Sequence, residues 1–400
     1  IRAAVEHQAD AIGLSGLLVK STVEMKYVLE DLERRGLSFP VICGGAALSR
    51  KYVEEDLRSV YSHAVFYGED AFSGLRAMDA LTNPVRREAI LAEGRTVKGR
   101  PAPGPVVVAD PVGRTAEIRR DIDIPTPPFW GVRVVQDIDL NEVYPYLNLT
   151  ALYKNQWQLR TLSKPEYEEA VRTRYAAILA EWQQRCRQEG ILQPKVVYGY
   201  FRAQSAGNDL LVYEVAPASC RQGVAAATGT AALQLLARFT FPRQKSGRFL
   251  CLADFFQPVD SGRTDVVAFS LVTIGRRASE YAGELFRKHQ YTDYLYLHGL
   301  SVETAEALAE YWHKVIRQEL GIAGDDAPNI PDLFHQKYRG SRYSFGYPAC
   351  PNLEDQAKLF ELLRPEETIG VHLTEGYQLD PEQSTSAIIA HHPQAKYFVV

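Results

Sequence analysis

Over the first eighty residues, short apolar runs alternate with amphipathic stretches. ADAIGLSGLL (9–18) has the unbroken apolar character of a buried parallel strand. TVEMKYVLEDLERRG (22–36) follows with helical spacing that predicts Val23, Tyr27, Leu29 and Leu32 inward and Gly36 as the stop. FPVICGG (39–45) and HAVFYG (63–68) read as further strands, SRKYVEEDLRSV (49–60) and EDAFSGLRAMDAL (69–81) as helices. Repeated βα units of this size predict a Rossmann-like, doubly wound parallel sheet covered on both faces.

The pattern then changes. From Asn83 proline and glycine gather in RPAPGP (100–105), a further Asp-Pro and IPTPPFWG (124–131), and apolar periodicity fades, as in a linker. Beyond it, VVYGYFRAQ (196–204) and DLLVYEV (209–215) flank the turn SAGN as a hairpin. FTFPRQ (239–244), FLCLADFF (249–256), DVVAFSLVTIG (265–275), SAIIAHH (386–392) and KYFVV (396–400) read as strands. The clearest helices are 166–186, 278–289 and 302–321. Strands in a run with helices segregated around them predict an α+β domain with a mainly antiparallel sheet. The expected organisation is a partial Rossmann-like domain over 1–82, a linker over 83–115 and the α+β domain over 116–400.

Four hundred residues suit two or three domains, and a net charge of −4 offers no basic excess for a nucleic-acid backbone. No apolar run approaches the roughly 20 residues that cross a bilayer, and the N-terminus lacks signal-peptide regions, so a cytoplasmic protein is expected. Five scattered cysteines (Cys43, Cys186, Cys220, Cys251, Cys350), never in a CxxC pair, read as free thiols. The chain enters a helix at once with a strand close behind, which predicts a fragment lacking its first βα unit.

Three stretches are candidates for chemistry. GLSGLLVKST (13–22) and CGGAALS (43–49) sit at the carboxyl ends of parallel strands, where open α/β sheets bind ligands and small residues admit them to the backbone. A capping box of Ser21 with Glu24, and a tight turn at Gly44 and Gly45, explain the same residues without a ligand. RYSFGYPACP (342–351) fixes an extended loop beside Arg342, whose guanidinium can grip a carboxylate in two bonds; a rigid packed turn is the alternative. His391 and His392 are adjacent, so on a strand they point to opposite faces and cannot chelate together. HExxH, P-loop and GxSxG signatures are missing.

Taken in order, GLSGLLVKSTVEM, PVICGGAALS, FLCLADF, RYSFGYPACP and LTEGYQLDPEQSTSAIIAHHPQAKYF resemble the C-terminal half of the cobalamin-dependent methionine synthase family. The resemblance covers nearly the whole chain and implies a partial cobalamin-binding domain followed by an S-adenosylmethionine-binding activation domain. It places Ser15, Val19, Ser21, Gly44, Gly45 and Ala46 around the cobalamin tail, with Ser21 supporting a histidine relay; Val19 stands where relatives carry a threonine. The family's DxHxxG motif, whose histidine ligates cobalt, does not occur, so no catalytic residue is assigned here and weak or absent cobalamin binding is expected. For S-adenosylmethionine it implies Asn148, Glu306, Arg342, Tyr347, Ala349, Tyr397 and Phe398. Asn148 replaces an aspartate expected to bind the ligand's ammonium group.

The reaction implied is methyl transfer from methyltetrahydrofolate to homocysteine through methylcobalamin, with reductive reactivation of cob(II)alamin by S-adenosylmethionine as this segment's share. The implied partners are the homocysteine and folate domains, which hold the zinc, and a flavodoxin-type or diflavin reductase; neither nucleic acid nor a membrane is expected. A corrinoid carrier or sensor without methyltransferase activity is the alternative, and an unrelated Rossmann methyltransferase a third reading.

Overall fold

Three short strands organise the N-terminal part: β1 (Ile12–Ser15), β2 (Val41–Gly44) and β3 (Val65–Gly68). They pair in parallel in the order β1-β2-β3, with Ile12 opposite Val41 and Val41 opposite Val65. The computed structural model describes residues 1–400 apart from 17–18, 46–47, 70, 97–114, 116, 160–161, 215–233 and 246. The chain divides into two compact units, Ile1–Ala109 with Gly346–Pro351, and Asp110–Phe345 with Asn352–Val400.

Alternation along the strands explains why helices cover both faces of the small sheet. Val41, Cys43 and Val65 face one core with Met25, Leu29 and Leu32 of helix Val19–Arg34 and with Val53 and Leu57. Ile42 and Phe66 face the other, with Ala77 and Leu81 of helix Ala71–Thr82 and Ile90 and Leu91 of helix Arg87–Arg95. That last helix occupies part of the stretch expected as linker. Gly36, at φ +64, ends the first long helix as expected. Tyr27 does not point inward: it is 56% exposed, because two residues after Met25 a helix has turned about 200° away from the core. The side chain of Val23 lies outside the described residues.

The second unit is built on antiparallel pairs. β4 (Gly131–Val135), β5 (Lys195–Ala206), β6 (Asp209–Tyr213), β7 (Leu235–Thr240), β8 (Asp265–Thr273) and β9 (Ser341–Ser344) are joined by β12 (Ser384–Ala390), after the small ladder of β10 (His372–Leu373) and β11 (Leu379–Asp380). The order is β7-β6-β5-β8-β12-β9, with β4 also on β5. Every residue of β8 is buried, as a central strand covered on both faces requires. One face packs Val196, Tyr198, Tyr200, Ala268 and Ile389 against the long helix Tyr291–Glu319.

Three expectations fail here for identifiable reasons. The long helix starts at Tyr291 rather than near 302, since burial overrides the poor propensity of its aromatic opening; at Gly299 a Cβ would stand 2.7 Å from Gln156 and 3.0 Å from Trp157. FLCLADFF is not a strand. Asp254 accepts a hydrogen bond from Cys251 N–H (2.9 Å) and pairs with Arg243, folding Leu252–Phe255 into a 3-10 turn. KYFVV is likewise no strand, because side chains rather than a ladder hold it: Gln244 donates to Val399 O (2.7 Å) and Gln336 Oε1 accepts from Tyr397 N–H (2.9 Å).

The stretch Glu117–Asp123 is fastened in the same manner. Gln394 donates to Glu117 O (3.0 Å) and accepts from Arg119 N–H (2.9 Å). Gln257 donates to Arg120 O (2.7 Å), Arg263 to Ile122 O (2.9 Å) and Arg339 to Asp123 O (3.3 Å).

Candidate functional site

In the first unit the sequence-predicted residues meet at the carboxyl ends of β1 and β2. Ser15 and Gly44 are register partners, and Gly16 N–H donates to Gly44 O (3.1 Å). A Cβ at Gly44 would stand 2.8 Å from Gly68 O, and one at Gly45, where φ is +116, 2.0 Å from Gly16 O. Both glycines are therefore demanded by the approach of neighbouring chain. Ser21 is not an N-cap: the helix begins at Val19, two residues earlier, which places Ser21 inside its first turn and removes the capping box with Glu24. Ser49 does cap, accepting from Tyr52 N–H at 3.2 Å. Ala46 and the side chain of Val19 lie outside the described residues. Ser15 is exposed at this edge.

In the second unit the residues around Arg342 form the clearest constellation. Arg342 stands on β9 opposite Ile389 of β12, which fixes its backbone in the sheet. Its Nη2 lies 3.4 Å from Glu306 Oε2 and 3.5 Å from Glu310 Oε2, two carboxylates one turn apart on helix Tyr291–Glu319. Burial works against the Arg342 charge, but Glu306 and Glu310 outweigh it and raise the pKa above the ordinary arginine value. Glu310 was missed in the sequence; the signal was its i+4 spacing from Glu306 in AEALAEYW.

The other candidates are placed as follows. Phe398 packs on Tyr343 and Phe255 with ring centroids 6.1 and 6.0 Å apart, and Tyr343 donates to Lys396 O (3.0 Å), so Tyr397 and Phe398 are tied to β9 through its second residue after Ser341. Asn148 spends its side-chain oxygen on Ala151 N–H (3.1 Å), capping its own segment; no bond from it to Arg342 or Glu306 is found among the described residues. Tyr347 and Ala349 sit in the turn closed by Cys350 N–H to Tyr347 O (2.9 Å) and Gly346 N–H to Cys350 O (3.0 Å). His391 pairs with Asp265 (2.6 Å) and His392 with Arg119 O (3.0 Å), so each ring has its own partner. Cys43, Cys186, Cys251 and Cys350 are buried; Cys220 lies outside the described residues. No described helix is long and apolar enough to cross a membrane.

Comparison with known proteins brings these observations together. Residues 137–400 match the family model described as vitamin B12 dependent methionine synthase, activation domain. The chain is 41% identical over 442 aligned residues to a methionine synthase of Mycobacterium leprae and 42% identical over 439 to one of Mycobacterium tuberculosis. Both alignments cover all of this chain and 35% of the relative, so the chain spans about a third of the length of the curated relatives it matches. A crystal structure of the MetH reactivation domain bound to AdoHcy superposes with a TM-score of 0.59 at 26% identity, covering 70% of this chain and 84% of that one.

Proposed function

The chain belongs to the vitamin B12-dependent methionine synthase activation-domain family, and from that premise we propose that it serves methionine synthase by reactivating its cobalamin with an S-adenosyl ligand as methyl donor. In this reading residues 1–82 are a Rossmann-like cobalamin-binding domain, 83–115 a linker and 116–400 the activation domain. The complete enzyme then transfers a methyl group from methyltetrahydrofolate to homocysteine, its other domains supply those substrates, and a flavodoxin-type or diflavin reductase supplies the electron. Cobalamin, when bound, contributes a cobalt centre that accepts and donates a methyl group. Ser15, Val19, Ser21, Gly44, Gly45 and Ala46 would line its tail, Ser15 by its exposed hydroxyl.

One observation carries the ligand reading. Arg342 is held charged on β9 with its side chain only 16% exposed, beside two carboxylates. An amino-acid ligand presents a carboxylate and a cation a few ångströms apart, and this arrangement offers a partner for each. Glu306 belongs to the same grip, whereas Tyr397 and Phe398 are tied to Tyr343, whose side chain leaves the opposite face of β9 from Arg342, and stay candidates on the resemblance. Asn148, Tyr347 and Ala349 remain candidates on the resemblance alone. Calorimetric titration of the 400-residue chain with S-adenosylmethionine is the test. Saturable binding that Arg342→Ala weakens about tenfold to a hundredfold is expected. A folded wild-type chain that does not bind, or a mutant that binds equally well, would remove the reading.

A further inference from the structure

Two carboxylates meet Arg342, and they are not equivalent. Both approach the same guanidinium nitrogen, Nη2, from one helix. The Glu306 side chain is 47% exposed, whereas that of Glu310 is 13% exposed and its Oε1 is buried without a hydrogen-bond partner. Arg342 Nη1 is likewise buried and unpartnered. His313, one residue short of the next turn, adds no second positive charge. Its burial, and then Arg317, Arg342 and Lys396, hold its pKa well below the usual histidine value, so the ring is neutral.

A buried guanidinium needs a carboxylate that stays, because a charge left alone away from water is strongly disfavoured. An exposed carboxylate can turn away and be resolvated; a sealed one cannot. We propose that Glu310 is the positioning residue that fixes Arg342, while Glu306 is the exchangeable carboxylate that gives up the guanidinium when a ligand carboxylate arrives. The proposal rests on the S-adenosyl ligand reading above and adds the division of labour between the two glutamates.

The sign of the effect follows from two opposed terms. Removing Glu310 takes a negative charge away from the incoming carboxylate, which favours binding. It also leaves Glu306 as the sole counter-charge of Arg342, so the ligand must displace a carboxylate that is now indispensable. The first term acts on the side where the Glu306 side chain is 47% exposed and is screened by water there; the second acts at the 3.4 Å contact with Arg342 and dominates.

The test compares S-adenosylhomocysteine with methylthioadenosine, which keeps the adenosine and thioether but has no carboxylate. Both are titrated calorimetrically into the 400-residue chain and its Glu310→Gln, Glu306→Gln, Arg342→Ala and Glu310→Gln/Arg342→Ala variants. Glu310→Gln is expected to weaken S-adenosylhomocysteine about tenfold and methylthioadenosine less than about twofold. Glu306→Gln should lose less than Glu310→Gln, and the double variant should bind no more weakly than Arg342→Ala. Unchanged or tighter S-adenosylhomocysteine binding in Glu310→Gln would overturn the proposal while leaving the ligand reading intact. So would equal losses for both ligands, a larger loss in Glu306→Gln, or additive losses in the double variant. If the wild type does not bind S-adenosylhomocysteine, or Arg342→Ala leaves that binding unchanged, the ligand reading fails and the proposal with it.

Discussion

The two sheets differ in whether sealed charges help to secure them. At the carboxyl edge of the parallel sheet, chain meets chain so closely that side chains are excluded: a Cβ at Gly45 would stand 2.0 Å from Gly16 O, and one at Gly44 2.8 Å from Gly68 O. Around the antiparallel sheet, charges are sealed in pairs instead. Arg243 and Asp254, both with fully buried side chains, meet in two bonds of 2.6 and 2.9 Å. Arg317 and Asp326 meet in two of 2.8 Å, and His391 reaches Asp265 at 2.6 Å. The carboxyl edge of the parallel sheet is therefore sensitive to added volume, and the second unit to a missing partner besides volume at points such as Gly199, where a Cβ would stand 2.5 Å from Gly131 O.

The largest effect that would test this contrast is expected at the sealed pair. Asp254→Ala strands Arg243 and should destabilise the second unit by about 3–5 kcal/mol, read from chemical denaturation. A loss under about 1 kcal/mol would show that the pair is not what holds this region. Gly45→Ala comes next. Its φ of +116 and the clash with Gly16 predict roughly 2–4 kcal/mol lost, confined to the first unit and measurable by hydrogen exchange on β1 and β2.

Glu303 sharpens the comparison, since it is a sealed carboxylate without a cationic partner among the interactions found. Burial first, and Glu306 second, push its pKa from 4.5 up to about 7, against the hydrogen bond donated by Gln156 (3.1 Å). The folded pKa lies above the unfolded one, so Glu303 leaves stability undiminished below about pH 4.5 and lowers it as pH rises to about 7. Glu303→Gln should thus stabilise by about 2–3 kcal/mol at about pH 8 and do little at about pH 4, by thermal denaturation at the two pH values. A gain of equal size at both would show that charge is not the cause. The smallest effect belongs to Arg276 and Asp380, 2.7 Å apart with both side chains half exposed: Arg276→Ala should lose less than about 1 kcal/mol, and less still in high salt.

Legibility followed the same divide. The βα alternation of the first unit was readable because strand and helix periods are local properties, and Gly36 was visible as punctuation. Tyr27 reads as inward by its aromatic character, but it follows Met25 by two residues and so lies on the opposite side of the helix. In the second unit the strands β5, β6, β8 and β12 were legible from their apolar runs. FLCLADFF was not, because its conformation depends on Arg243 reaching Asp254 from another part of the chain. Arg342 stood out in its loop, yet Glu310 became visible only when helix and strand were brought together. Asn148 was matched as a ligand residue, and its commitment to Ala151 N–H depends on a turn that composition does not reveal.

The stretch Glu117–Asp123 carries a consequence of its own. Besides burying Ile118 and Ile122, it is held by its main chain, through carbonyls and one N–H, by Gln257, Arg263, Arg339, His392 and Gln394. The holders read the main chain and are indifferent to what it bears, so drift at the exposed positions of the stretch is close to neutral, while drift at buried Ile118 and Ile122 or among the five holders is not.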